Sequence, residues 1–143
     1  MGASGWNYIT EYRGDVESSL AALREREFAR PDSYWRGILP LWDLPIPATL
    51  DELFTEPYYE FLGCNGTHCV IDVGFKNFEP LDPADLVDTF GSEQPDRAKF
   101  ESVAGEHFEN LNIFLSGRWY GSYVVLHEDG TPTEVAFWGF SGD

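Results

Sequence analysis

The residues best suited to chemistry fall in two short stretches. In the first, GCNGTHCVID, the side chains of Cys64, His68, Cys69 and Asp72 stand within nine positions of one another. On a strand expected over residues 68–73, His68 and Asp72 share a face on either side of Val70. That spacing separates them by ~13 Å along an extended chain, too far for a direct hydrogen bond. Cys64, His68 and Cys69 have the composition of a metal site. A structural zinc site needs four ligands, usually in two spaced pairs, and the sequence offers no second pair, so no metal is expected. Nothing marks an oxidising compartment, and both cysteines are read as thiols rather than a disulfide.

The second stretch is HEDGTPTE. Across a hairpin turning at Asp129-Gly130, His127 and Glu134 are diagonal neighbours on one face. The geometry permits an acid–base or orienting pair, and a surface ion pair is the plainer reading. His68, Asp72, His127 and Glu134 are the candidate catalytic residues. No G-x-S-x-G, P-loop, dinucleotide fingerprint or H-E-x-x-H is present, so nothing points to the hydrolase, nucleotide-binding or metalloprotease classes, and no cofactor is expected.

The element that must position the second pair is the last quarter of the chain, Arg118 to Asp143. Asp129-Gly130 supplies the two positive-φ residues of a type I′ turn between β-branched and aromatic runs. A two-residue turn sets Glu128 opposite Thr131, His127 opposite Pro132, Leu126 opposite Thr133, Val124 opposite Val135 and Ser122 opposite Phe137. One face then carries Tyr120, Ser122, Val124, Leu126, Thr133, Val135, Phe137 and Gly139 as the core side. The other carries Trp119, Tyr123, Val125, His127, Glu134, Ala136, Trp138 and Phe140. That second face is too aromatic for plain solvent exposure, and a helix or a loop is expected to cover it. Left open, its Trp119, Tyr123, Trp138 and Phe140 would line a ligand wall with Trp35 and Trp42. Pro132 has no N–H and marks its end of the strand as an edge.

Upstream, alternation of Trp6, Tyr8, Thr10 and Tyr12 predicts a short strand. Asp15 caps a helix with the apolar stripe Val16, Leu20, Leu23 and Phe28, ended by Pro31. Four prolines between Pro31 and Pro47 forbid a useful helix there, leaving an ordered loop packed by Tyr34, Trp35, Ile38, Leu39 and Trp42, either a lid over a pocket or, preferably, a plug for one end of the core. Thr49 and Glu52 form a capping box for a short helix over 50–54. Asp82 caps a helix ended by Gly91, and Pro95 or Asp96 opens another through Phe100, Val103, Phe108 and Leu111, interrupted by Gly105. Residues 112–116 read as a strand.

A chain of 143 residues with 43% hydrophobic and 16% aromatic content is one folded domain. Its 9 basic and 25 acidic residues, net charge −16, repel nucleic acid and anionic membrane, and would steer in a basic protein or a cationic small-molecule ligand. Such a surface also serves plain solubility. No apolar run is long enough to span a membrane and the start lacks signal-peptide features, so a cytoplasmic location is expected.

GASGWNY near the start, GTHCVID in the middle and FWGFSGD at the end resemble an uncharacterised family of small bacterial proteins. The resemblance implies a bacterial, cytoplasmic, single-domain protein and brings no activity or site residues with it. The fold expected is α+β, an antiparallel sheet built on the C-terminal hairpin with helices packed on it. Two functions fit: an acidic, aromatic binding or inhibitory module for a basic protein or cationic ligand, or a small enzyme or ligand-binding protein of specialised metabolism with a pocket between the hairpin and the Pro-rich loop.

Overall fold

A computed structural model describes residues 4–142 and has an α+β fold. The chain runs β1 (Gly5–Glu11), α1 (Val16–Phe28), α2 (Tyr34–Ile38), α3 (Leu50–Leu53), α4 (Tyr59–Cys64), β2 (Phe78–Pro80), α5 (Pro83–Phe90), α6 (Arg97–Ala104), β3 (Gly121–Glu128) and β4 (Thr131–Phe140). Short 3-10 turns fill the remaining corners, at Leu39–Trp42, Val70–Asp72, Phe75–Asn77 and Glu109–Phe114. The four strands lie in the order β1-β4-β3-β2. β1 and β3 flank β4 antiparallel, but β2 joins β3 in parallel, so the sheet is mixed and not purely antiparallel. Three residues ending in a proline leave little sequence signal for such a strand.

The turn forms as its residues dictate, with φ of 51° at Asp129 and 79° at Gly130. The register starts as expected, His127 opposite Pro132, and then slips: Leu126 pairs with Glu134, Val124 with Ala136 and Ser122 with Trp138. Pro132 and Thr133 together oppose His127, a β-bulge. A one-residue slip moves every later side chain of β4 to the other face. Both expected faces are therefore corrected: Val135 and Phe137 pack with Tyr123, while Ala136 and Trp138 pack with Val124 and Leu126.

Both faces are covered. On one, Val124, Leu126, Ala136 and Trp138 meet Phe90, Phe100, Ala104, Phe108 and Leu111 from the α5–α6 side. On the other, Trp6, Val135 and Phe137 meet Leu20 and Leu23 of α1 with Val70, Val73 and Phe78. Helix α1 begins where Asp15 accepts the amide of Ser18 at 2.6 Å, and its spacing buries Leu20, Leu23 and Phe28 on one stripe. Gly139, opposite Gly121, is a glycine because a Cβ there would sit 2.6 Å from the Trp6 ring and from the Tyr120 carbonyl.

A third core lies below α1, where Phe28, Trp35, Leu39, Leu50, Leu53, Tyr58, Phe61 and Ile71 are buried together. This is the Pro-rich segment acting as a plug, with one short helix and one 3-10 turn instead of an irregular loop. Thr49 accepts the Glu52 amide at 3.1 Å as its capping box requires.

Three further expectations fail. Residues 68–73 are not a strand: His68 takes φ 59°, and Val70–Asp72 is a 3-10 turn. Residues 112–116 largely belong to a 3-10 turn as well. Helix α6 ends at Ala104 because Gly105, at φ 88°, leaves the helix instead of merely weakening it. Strand β4 is an inner strand, and among the described residues its Pro132 end, beyond the ladder with β1, has no strand beside it on that side.

Candidate functional site

The 3-10 turn that replaces the expected strand brings His68 and Asp72 together, though not as a side-chain pair. Asp72 folds back to accept the Thr67 amide at 2.8 and 3.0 Å, the Thr67 hydroxyl at 2.9 Å and the His68 amide at 3.1 Å. Gly66 lies so close that a Cβ would meet the Asp72 carboxylate at 3.0 Å. Burial pushes the Asp72 carboxyl up, against the hydrogen bonds from Thr67 and His68 that favour its charge. Asp72 is thus consumed in holding the loop.

His68, presented by that loop, shares a hydrogen bond of 2.8 Å between its Nδ1 and Ser4 Oγ, and its ring lies 4.4 Å from the ring of Tyr34. The Ser141 amide donates to the Ser4 carbonyl at 2.9 Å. Parts of the three distant motifs therefore converge at one place: Ser4 from the first, Thr67, His68 and Asp72 from the second, Ser141 from the third. Gly2 and Ala3 of the first motif and Asp143 of the last lie outside the described residues.

A hollow of about 210 Å³ opens beside His68, bordered by Tyr8, Glu27, Arg30, Tyr34 and Cys69. Glu27, almost buried, pairs with Arg30 at 3.1 Å. Burial pushes the Cys69 thiol up to about 11, with the Thr67 hydroxyl at 3.2 Å a lesser, opposing influence, and it raises the Tyr8 phenol likewise. Both stay protonated at neutral pH, so Cys69 is not poised as a nucleophile. Cys64 is exposed, and both cysteines are free thiols. Among the described residues no group of three His, Cys, Asp or Glu side chains could hold a metal ion.

The other candidate pair sits at the far end of β4. Glu134 is seven residues from Ser141 along an extended strand, ~23 Å, so the two pairs cannot serve one reaction centre. Because of the bulge Glu134 shares a face with Leu126 and not with His127. Arg97 of α6 engages it at 2.8 Å while also binding Glu101 at 2.7 Å. His127 borders a hollow together with Arg97 and Glu134, and its Nδ1 is buried without a hydrogen-bond partner among the described residues. The ion pair that forms is Glu134 with Arg97, not the His127–Glu134 pair expected as the plainer reading.

The six aromatic candidates are scattered. Trp138 is a core residue whose indole N–H donates to the Leu111 carbonyl at 3.2 Å, and Trp35 is wholly buried against Phe28. Tyr123 faces the α1 side, packed on Phe137. Trp42 is half-buried, edge-on to Phe61. Trp119, at φ 67°, donates its amide to the Phe140 carbonyl at 3.0 Å and packs so tightly on Gly142 that no Cβ would fit there. Trp119 and Phe140 are joined by that backbone bond, and Trp35 and Trp42 belong to the third core.

Sequence reasoning missed the outward face of the plug. Leu41 is 79% exposed, Tyr59 55%, Ile46 45% and Phe54 38%, interleaved with the exposed acids Asp43, Asp51, Glu52, Glu56 and Glu60. Residues 41–60 contain no lysine or arginine, a signal readable in the sequence once the segment is known to be folded. Arg24 of α1 reaches its border, 5.4 Å from the Phe54 ring.

Comparison with family models, with curated proteins and with solved structures finds no match for this chain. No helix among the described residues is long and apolar enough to cross a membrane.

Proposed function

We propose that the chain is an acidic binding or inhibitory module whose partner is a basic protein. The observation that carries this reading is that residues 41–60 expose Leu41, Ile46, Phe54 and Tyr59 together with five carboxylates, over a buried core. Apolar and aromatic anchors supply contact energy, and the surrounding charge steers a cationic surface into register. A photo-crosslinking residue placed at Leu41 or Tyr59 in cells of the source organism tests it. One basic protein should be captured from both positions, and the purified complex should weaken about tenfold or more as salt rises from about 50 to about 300 mM. An acidic partner, or a complex indifferent to Leu41→Glu combined with Tyr59→Ala, overturns the reading.

A second reading rests on the bond between His68 and Ser4. There the 210 Å³ hollow would hold a small polar ligand between β1, the start of the Pro-rich segment and the GTHC loop. A fragment screen followed by the His68 ring signals in NMR checks it: bound fragments should move those signals, and His68→Ala should abolish binding.

A further inference from the structure

The sheet has two edges, and they are built differently. The β2 edge is three residues long and ends in Pro80, a blunted edge of the kind that discourages strand addition. The β1 edge runs seven residues, GWNYITE, with no proline, no lysine and an unbroken register against β4. Its hydrogen-bond phase follows from the bonds at its two ends. The Ser141 amide donates to the Ser4 carbonyl and the Tyr12 amide to the Thr133 carbonyl, so the even-numbered residues of β1 face β4. Phe140, opposite Gly5, correspondingly turns its amide to Tyr120 and its carbonyl to Trp119. The amides and carbonyls of Asn7 and Ile9 therefore point outward, and no described residue satisfies them with a backbone bond.

Beside this edge lies a hollow of about 420 Å³, between β1 and α6, bordered by Asn7, Ile9, Arg97, Glu101, Glu106 and Phe108. A second of about 250 Å³ continues beyond Asn7 toward Trp6, His107 and Glu109. An added strand would lay alternate side chains into this channel. Its walls are acidic: Glu101, Glu106 and Glu109 border it against Arg97, already shared by Glu101 and Glu134, and His107, whose amide Glu109 accepts at 2.8 Å.

We propose that the β1 edge is a docking site for an extended, lysine- or arginine-bearing segment of a partner protein, which adds as a fifth strand beside α6. Main-chain bonds to Asn7 and Ile9 give the affinity, and the carboxylates of the channel select basic side chains. The site is separate from residues 41–60 and does not rest on the reading given to them.

The test uses the full chain and a fluorescent peptide of alternating lysine and valine, read by anisotropy and by amide hydrogen exchange. The peptide should bind and slow exchange at Asn7 and Ile9 by about tenfold or more. N-methylation of every second peptide amide, or glutamate in place of lysine, should weaken it by about tenfold or more. Asn7→Pro removes the outward N–H, together with the side-chain amide that donates to the His107 carbonyl at 3.3 Å, and should abolish binding; if that variant fails to fold, the methylated peptides decide. Leu41→Glu should leave peptide binding unchanged. Equal binding of methylated peptides, equal binding of the glutamate peptide, or a dimer of the chain alone that Asn7→Pro disperses, each overturns the proposal, the last in favour of a second copy on this edge.

Discussion

Asp72 takes both the amide and the hydroxyl of Thr67, at 2.8 and 2.9 Å, and so ties the GTHC loop into a closed turn running from Thr67 to Asp72. A carboxylate has acceptor sites for all of these donors, whereas an amide side chain turns an NH2 toward one of them. Asp72→Asn should therefore cost about 1–3 kcal/mol in denaturant unfolding, although it removes a charge that burial disfavours. An unchanged midpoint would show that the loop is held by its packing alone.

The two thiols should separate by reactivity. Cys64 is exposed, while Cys69 is half-buried and its thiol is pushed up to about 11. With an aromatic disulfide reagent near pH 8, one equivalent should react quickly and the second only on unfolding, and Cys64→Ser should remove the fast phase.

The same group makes a pH prediction with a definite sign. An unfolded cysteine titrates near about 8.5, and the folded state holds the Cys69 proton more tightly, to about 11. Its contribution to stability is whole below the unfolded value and is lost as pH rises toward the folded one. Thermal melts of Cys69→Ala should accordingly lose less stability than the parent between about pH 8.5 and about pH 11.

At Gly139 a methyl group would press on the backbone carbonyl of Tyr120 and on Trp6, both at 2.6 Å. Neither can yield without moving a strand. Gly139→Ala should destabilise by about 1–3 kcal/mol, measured by chemical denaturation. Ser116→Ala, at an exposed position, is the control and should change little.

Arg97 joins α6 to β4 through Glu134 and closes an i,i+4 pair with Glu101. All three side chains are partly exposed, so Arg97→Ala should cost less than about 1 kcal/mol, and less again in high salt. A larger loss would mean that this guanidinium orders the β1–α6 channel.

Much of this molecule is local in origin. Asp15, Thr49, Asp82 and Asp96 each accept the amide three residues on and start the helix expected of them, because capping is a contact between near neighbours. The Asp129-Gly130 turn is local in the same sense. The candidate site was less legible. His68 and Asp72 could be singled out by type, but a strand reading set them apart, since β-branched Val70 and Ile71 suit a pleat as well as a buried 3-10 turn. Ser4 and Ser141 gave no signal of their own, being small polar residues that matter only because the ends of the chain meet across β1 and β4.

By itself, then, the sequence determined the capped helices, the hairpin turn, the aromatic apolar content and the acidic charge, all properties of residues or near neighbours. Tertiary structure alone decided which face each strand residue would take. The bulge at Pro132 and Thr133 shifts β4 by one residue and sends Trp138 to one helical layer and Phe137 to the other. A pairing register is set by the whole packed sheet, because one slip exchanges every buried and exposed side chain at once.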